Sequence, residues 1–326
     1  MTYLNPYTGQ TFLGFLFQLF ERFWAFAKGD VSPSNMASDE IQIIVLVGIA
    51  VSSALVGSFL VLRRMTMLAN ALSHTILIGI VAVFLFTHET VLEGGHLEIG
   101  HNVINIQAML IAALAMGLIT TFLTEFLTKT IGLQEDASTG IVFTSLFALG
   151  IILVTTLTRS AHIGAEVVMG NVDALHIDDV KLVLIILAMN VILFALFFKE
   201  YKITTFDPAF SQALGFSTAF FNYLLMVQVS ATAIGAFRAV GVLMVLAFIT
   251  GPVLTARLLT HDLKKMIWAA IGLGSLAAVL GVALSRHFLS AYNLALSTAG
   301  IVVCVITGIF FLTVAFKILQ QKTRSA

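Results

Sequence analysis

The 326-residue chain is 59% hydrophobic and only 10% charged, with a mean hydropathy of +1.02. A soluble domain of this size carries about 25% charged residues, so the solvent that tolerates so little charge is lipid. The 17 basic residues balance 17 acidic ones, which removes a global electrostatic case for nucleic acid, and the single cysteine, Cys304, excludes a disulfide framework within the chain.

Lipid offers the backbone no hydrogen-bond partners, so a spanning segment must be a helix of about 20 apolar residues. The chain opens on an N-terminal segment, residues 1–40. Its stretch 12–27 is rich in phenylalanine (Phe12, Phe15, Phe17, Phe20, Phe23, Phe26) but interrupted by Glu21 and Arg22. That pattern suits an interfacial helix better than a span. A signal peptide is not expected, because no basic region precedes the stretch and no small-residue cleavage site follows it.

Residues 41–326 read as one transmembrane domain. Spans are expected over 41–62, 67–86, 106–123, 139–157, 180–198, 266–284 and 296–316. The run 219–259 is about twice the required length, and Gly235, Arg238 and Gly241 suggest a turn that divides it into two helices. The expected fold class is all-α: a polytopic integral membrane protein of about eight to nine transmembrane helices.

Orientation follows from the basic residues. With the 62–67 loop in the cytoplasm, Arg63, Arg64, Lys129, Lys199, Lys202, Arg257, Lys264, Lys265, Lys317, Lys322 and Arg324 fall inside. Only Arg159, Lys181, Arg238 and Arg286 fall outside. Small residues recur at short intervals in the first span (Gly48, Ser52, Ser53, Gly57) and the eighth (Gly274, Ala278, Gly281). Such spacing lets helix backbones approach closely, and packing within the chain is the expected use.

Most histidines then lie outside. The loop 87–105 holds His88, Glu89, Glu93, His96, Glu98 and His101, and imidazole with carboxylate suits zinc, iron or manganese. The spacing matches no closed site, so His88, His96 and His101 read either as transient metal capture or as an ordinary solvated loop. The later loop, with His162, Glu166, Asp173, His176, Asp178 and Asp179, carries the same two readings.

Within the spans the polar residues are few: Asn70, His74, Asn190 and Gln228, with Glu125 near a cytoplasmic end. Asn70 and His74 are four apart and share a helix face. His74 reads equally as a metal ligand or as a hydrogen bond between helices. Helix–helix hydrogen bonding is the expected role of Asn190 and Gln228. No phosphate loop, HExxH, GxSxG or CxxC occurs, so a non-catalytic subunit is expected. Few buried carboxylates and no visible repeat favour a separate ATPase over an ion gradient as the energy source.

Three stretches carry a resemblance. LVGSFLVLRRMTMLANALSHTILIGIV at 55–81 places a basic pair before an ALSH helix, and EDASTGIVFTSLFALGIILV at 135–154 is an acidic-capped helix. FDPAFSQALGF at 206–216 precedes AVGVLMVLAFITGPVLTARLL at 239–259. In order and spacing these resemble the permease family of zinc, manganese and iron ABC importers over residues 41–316. The resemblance implies a fold shared with cobalamin and siderophore importer permeases, a second permease of the same or a related chain, a cytoplasmic ATPase and an extracytoplasmic metal-binding protein.

It also implies roles for residues. Segment 206–216 would be the coupling helix that docks on the ATPase, through Phe206, Asp207, Pro208, Ala209, Phe210 and Gly215. Locally, Asp207 can cap a short helix starting at Pro208, and Gly215 can end it. His74 would line the metal path, with Asn70 standing where the family usually has aspartate. Gly251 and Pro252 would contribute a gate. The expected function is alternating-access import of a divalent metal (manganese, zinc or iron) across the bacterial inner membrane, with no stably bound cofactor. A siderophore, haem or cobalamin permease and a gradient-driven metal transporter are the alternatives.

Overall fold

A computed structural model of the protein describes residues 6–29, 36–68, 70–72, 75, 78–79, 92–93, 96–97, 106–158 and 172–325. Helix is present in each of the nine segments expected to span. In chain order the helices are α1 (Phe12–Lys28), α2 (Ser38–Leu62), α3 (Ile106–Thr130), α4 (Glu135–Thr158), α5 (Ile177–Phe206), α6 (Pro208–Ala213), α7 (Thr218–Val240), α8 (Val242–Leu259), α9 (Leu263–Tyr292) and α10 (Thr298–Ser325). Between α2 and α3, residues 66–68, 70–72, 75 and 78–79 are helical. A small antiparallel ladder joins β1 (Leu92–Glu93) to β2 (His96–Leu97).

The helices run several residues beyond the predicted spans, because amphipathic ends continue the backbone hydrogen-bond ladder past the apolar stretch. Six of the described helices are long and apolar enough to cross a membrane, by length and composition. Their outward faces carry Ile152, Ile185, Leu196, Phe311 and Leu312, each at least half exposed, as a lipid-facing surface requires. The double-length run breaks at a single point: Gly241 adopts φ 79 and starts α8. Gly235 stays helical inside α7.

The chain divides into two compact units. One comprises Met1–Ser58, Asn171–Ala188 and Ala239–Ala326; the other comprises Phe59–Gly170 and Met189–Arg238. In the first unit α8, α9 and α10 pack on one another and α1 packs on α9. Small residues make the close contacts: Gly48 faces Val183, Gly274 faces Ala50 and Pro252, and Gly281 faces Val302. At Gly57 any Cβ would run into the backbone carbonyl of Ile249. The predicted intrachain use of these small residues is what the fold shows.

Buried charge in this unit is paired. Arg286 donates through Nε and Nη2 to Asp39, at 2.5–3.0 Å. One residue on, Glu40 is held by Arg22, by the Tyr7 hydroxyl at 2.8 Å and by the Ala37 amide at 2.8 Å. Burial, and then the Glu40 carboxylate, hold the Tyr7 phenol far above its ordinary range, so it remains a donor. Helix α1 is thereby tied to the start of α2 through Arg22. Its Phe15 and Leu19 are buried, while Leu13, Phe17, Phe20 and Trp24 face outward. Thr11 caps its start by accepting from the Gly14 amide, and Gly29 closes its end.

The second unit is built differently. Phe59 of α2 stacks on Phe194 at 5.3 Å and meets Tyr201 at 5.5 Å, and Tyr201 meets Phe221 of α7 at 5.7 Å. Three of this unit's buried polar pairs carry no net charge. Tyr201 donates to Gln228 Oε1 at 2.5 Å, Asn190 Nδ2 donates to Thr232 Oγ1 at 2.7 Å, and Thr120 Oγ1 donates to Thr75 Oγ1 at 3.0 Å. Asn190 and Gln228 thus join helices, as their sequence positions suggest. Helix α5 departs from helical geometry at Phe197 (φ −112, ψ 21).

Candidate functional site

Segment 206–216 folds as a short helix with both ends specified by its own sequence. Pro208 has no amide hydrogen to lose at the first helical position, and its fixed φ is already helical. Asp207 caps that start: its carboxylate accepts from the Phe210 amide at 2.9 Å. At the other end, Phe216 N–H donates to the Ser211 carbonyl at 3.0 Å and Gly215 N–H to the Gln212 carbonyl at 2.9 Å. This double closure needs a left-handed residue between the helix and Phe216. Gly215, at φ 84, supplies it.

Six residues of helix closed this tightly form a small rigid knob. Ser211 is fully buried on its inner side. Phe206, Phe210 and Leu214 are each half or more exposed, and Ala209 is exposed beside them. Unpartnered aromatic and aliphatic side chains on one short helix suit insertion into an apolar groove on another protein. Phe216 meets Phe221 at 6.4 Å, which joins the knob to the aromatic cluster of the second unit.

The knob's base contains contacts that sequence reading missed. Arg63, at the end of α2, donates through Nε to Thr205 Oγ1 at 2.9 Å, through Nη2 to Thr204 Oγ1 at 3.0 Å and through Nη1 to Asn222 Oδ1 at 3.1 Å. In the sequence Arg63 served to set orientation and as one of the basic pair before the ALSH helix. A threonine pair directly before the knob and an amide six residues after it were the signal, and only the fold brings them to one guanidinium.

The proposed metal path is described in part. Asn70 is helical and half-buried; His74, which it was paired with, lies outside the described residues. Of the outer-loop histidines, His88 and His101 also lie outside them, and the His96 backbone stands opposite that of Glu93 in the short ladder. Among the described residues no three His, Cys, Asp or Glu side chains gather as a set that could hold a metal ion. Of the later loop, His162 and Glu166 lie outside the described residues, and its described acids make contacts within the protein. Asp173 accepts from Thr298 at 2.6 Å, Asp179 accepts from the His176 amide at 3.0 Å, and Asp178 pairs with Lys181 at 2.9 Å. A cavity of about 300 Å³ in the first unit is lined by Asp39, Gln42, Asp173, Ser285 and Arg286. Its Asp39 and Arg286 are already engaged with each other.

Gly251 and Pro252 sit inside α8, which continues through them. A side chain at Gly251 would collide with Ile306 of α10, and Pro252 lies against Gly274 of α9. Pro252 brings no amide hydrogen to the ladder, so α8 lacks one internal bond beside this close contact.

The chain is similar to known proteins over most of its length. The model of the ABC 3 transport family matches residues 39–317. A protein of Chlamydia trachomatis named for a metal transport system is 39% identical over 313 residues, covering 96% of this chain and 94% of the relative. The manganese transport system membrane protein MntD of Bacillus subtilis is 38% identical, covering 73% of this chain and 79% of its own. Among solved structures, PsaBC from Streptococcus pneumoniae in complex with Fab superposes with a TM-score of 0.68 at 26% identity, covering 84% of this chain and 90% of that one. With its apolar spanning helices and this match, the chain belongs to the ABC 3 transport family, as a multi-pass permease of the bacterial inner membrane.

Proposed function

We propose that this chain is the permease of an importer that moves a divalent transition metal inward, with manganese and zinc the leading cargoes. The observation that carries this reading is the capped knob Phe206–Phe216, which offers exposed apolar side chains at the end of a membrane helix. Relatives named for manganese support the cargo, and one named for zinc keeps that ion beside it.

In this reading the knob lies on the cytoplasmic side and seats in a groove on a separate ATPase, which hydrolyses ATP while this chain performs no chemistry. An extracytoplasmic binding protein delivers the ion, and a second permease, identical or related, completes the pathway. His74 and Asn70 touch the passing ion. Asn70 is a neutral, weaker ligand than the aspartate usual in the family, which favours release over retention. Gly251 and Pro252 act as a gate through the weakened ladder of α8. The histidines His88, His96 and His101 concentrate cations at the outer mouth. Helix α1 lies in the membrane interface with Phe17, Phe20 and Trp24 in the lipid.

Proteoliposomes holding the permease with its ATPase and binding protein test this reading. Accumulation of labelled manganese that requires internal ATP is the expected result. Uptake driven by a proton or sodium gradient without the ATPase, or uptake of a metal chelate with free manganese ignored, would contradict it.

A further inference from the structure

The knob alone does not explain how its displacement would reach the membrane helices. A short helix on two flexible connections would absorb a push locally. Here the connections are held, and one side chain holds both. Thr204 and Thr205 immediately precede Phe206, Asn222 stands in the first turns of α7, and all three accept from the Arg63 guanidinium at 2.9–3.1 Å. Arg63 is the residue at which α2 stops.

Two features fix that guanidinium in place. The end of α2 is closed by Met65 N–H donating to the Leu60 carbonyl at 3.0 Å and Arg64 N–H to the Val61 carbonyl at 3.2 Å. That closure puts Arg64 at φ 61, a left-handed conformation that costs a non-glycine residue about 1–2 kcal/mol. One turn earlier, Phe59 packs on Phe194 and Tyr201 of α5, and Tyr201 packs on Phe221 of α7. The last turn of α2 therefore grips the helix that enters the knob with an aromatic ring and a guanidinium fork, and reaches the helix that leaves it through the same fork.

We propose that Arg63 is the positioning residue that fastens the knob to α2, so that displacement of α6 moves the end of α2 with it. This rests on the reading of α6 as the element that docks on the ATPase. The task needs a planar fork with several donors in fixed directions. Lysine keeps the charge but places its donors on a single nitrogen and cannot reach three separated oxygens. Arg63→Lys is therefore the informative variant, because it separates charge from geometry. Asn222→Ala removes one acceptor and leaves Arg63 intact.

The experiment uses the full complex in proteoliposomes and reads manganese ions taken up per ATP hydrolysed. That ratio is independent of how much complex assembles. Loss of three charge-assisted bonds is expected to lower it about tenfold in Arg63→Lys and about threefold in Asn222→Ala. An unchanged ratio in Arg63→Lys overturns the proposal. Loss of assembled complex in both variants also overturns it, since that assigns Arg63 to folding rather than to transmission. Phe210→Asp examines the underlying reading separately: ATPase association that survives this change removes the docking role itself, whatever the Arg63 variants do.

Discussion

The most buried polar contacts of the two units differ in the charge of their acceptors. In the first, Asp39 with Arg286 and Glu40 with Arg22 are full charges paired in the interior, while close glycine contacts occur in both units, at Gly57 against Ile249 and at Gly117 against Ser230. In the second, Tyr201 with Gln228, Asn190 with Thr232 and the Arg63 fork all use neutral acceptors, around a cluster of aromatic rings. Separating a buried ion pair leaves an uncompensated charge, which confines the pair to one geometry. A neutral hydrogen bond has a smaller net value and exchanges partners at lower cost. The first unit is thus held in part by buried ion pairs, and the second, which contains segment 206–216, by neutral acceptors and aromatic packing.

Breaking a charge pair is the harshest test of that contrast. Asp39→Ala, which strands Arg286, is expected to destabilise the protein by about 3–5 kcal/mol, measured as the unfolding midpoint in a denaturing-detergent titration. The double change Asp39→Ala with Arg286→Met is expected to recover most of the loss. A smaller effect follows at the glycine contact. Gly57→Ala forces a methyl against the Ile249 carbonyl, and overpacking of this kind costs about 1–3 kcal/mol. Tyr201→Phe in the second unit removes one neutral bond and is expected to cost about 1 kcal/mol, with the aromatic packing retained. Asp207→Ala sharpens the view of the knob alone. It removes the cap of a six-residue helix for about 0.5–1 kcal/mol, too little to move the unfolding midpoint but enough to weaken ATPase association in a pull-down. If Asp39→Ala and Tyr201→Phe proved equally mild, the two units would not differ as described.

What the sequence could reveal was what lies within one stretch of chain. The nine apolar segments are legible because lipid imposes length and composition directly. The knob is legible because Asp207, Pro208 and Gly215 act on backbone within a few residues of themselves. Asn190 and Gln228 were legible as polar residues needing partners, though not which partners. The contacts that join distant segments were hidden. Arg63 meets Thr204 at a separation of 141 residues, and Arg286 meets Asp39 at 247. Arg286 was visible only as a topology charge and Arg63 only as that and as one of the basic pair before the ALSH helix, since nothing local distinguishes a loop arginine from one that bridges helices. The later outer loop was ambiguous for a related reason. Carboxylates that cap helices and carboxylates that capture metal share a composition, and the contacts of Asp173 and Asp179 with Thr298 and the His176 amide could not be read from it.

Docking of the knob on an ATPase is most directly tested by photo-cross-linking. Cys304 is the single cysteine, so Phe210→Cys in a Cys304→Ser background gives one thiol for a benzophenone maleimide. Illumination of the co-expressed complex is expected to join the permease to the ATPase, while the same label at the exposed position Leu243 near the start of α8 gives no such product. An ATPase adduct absent at Phe210, or equally strong at Leu243, would contradict the assignment of Phe206–Phe216 as the coupling element.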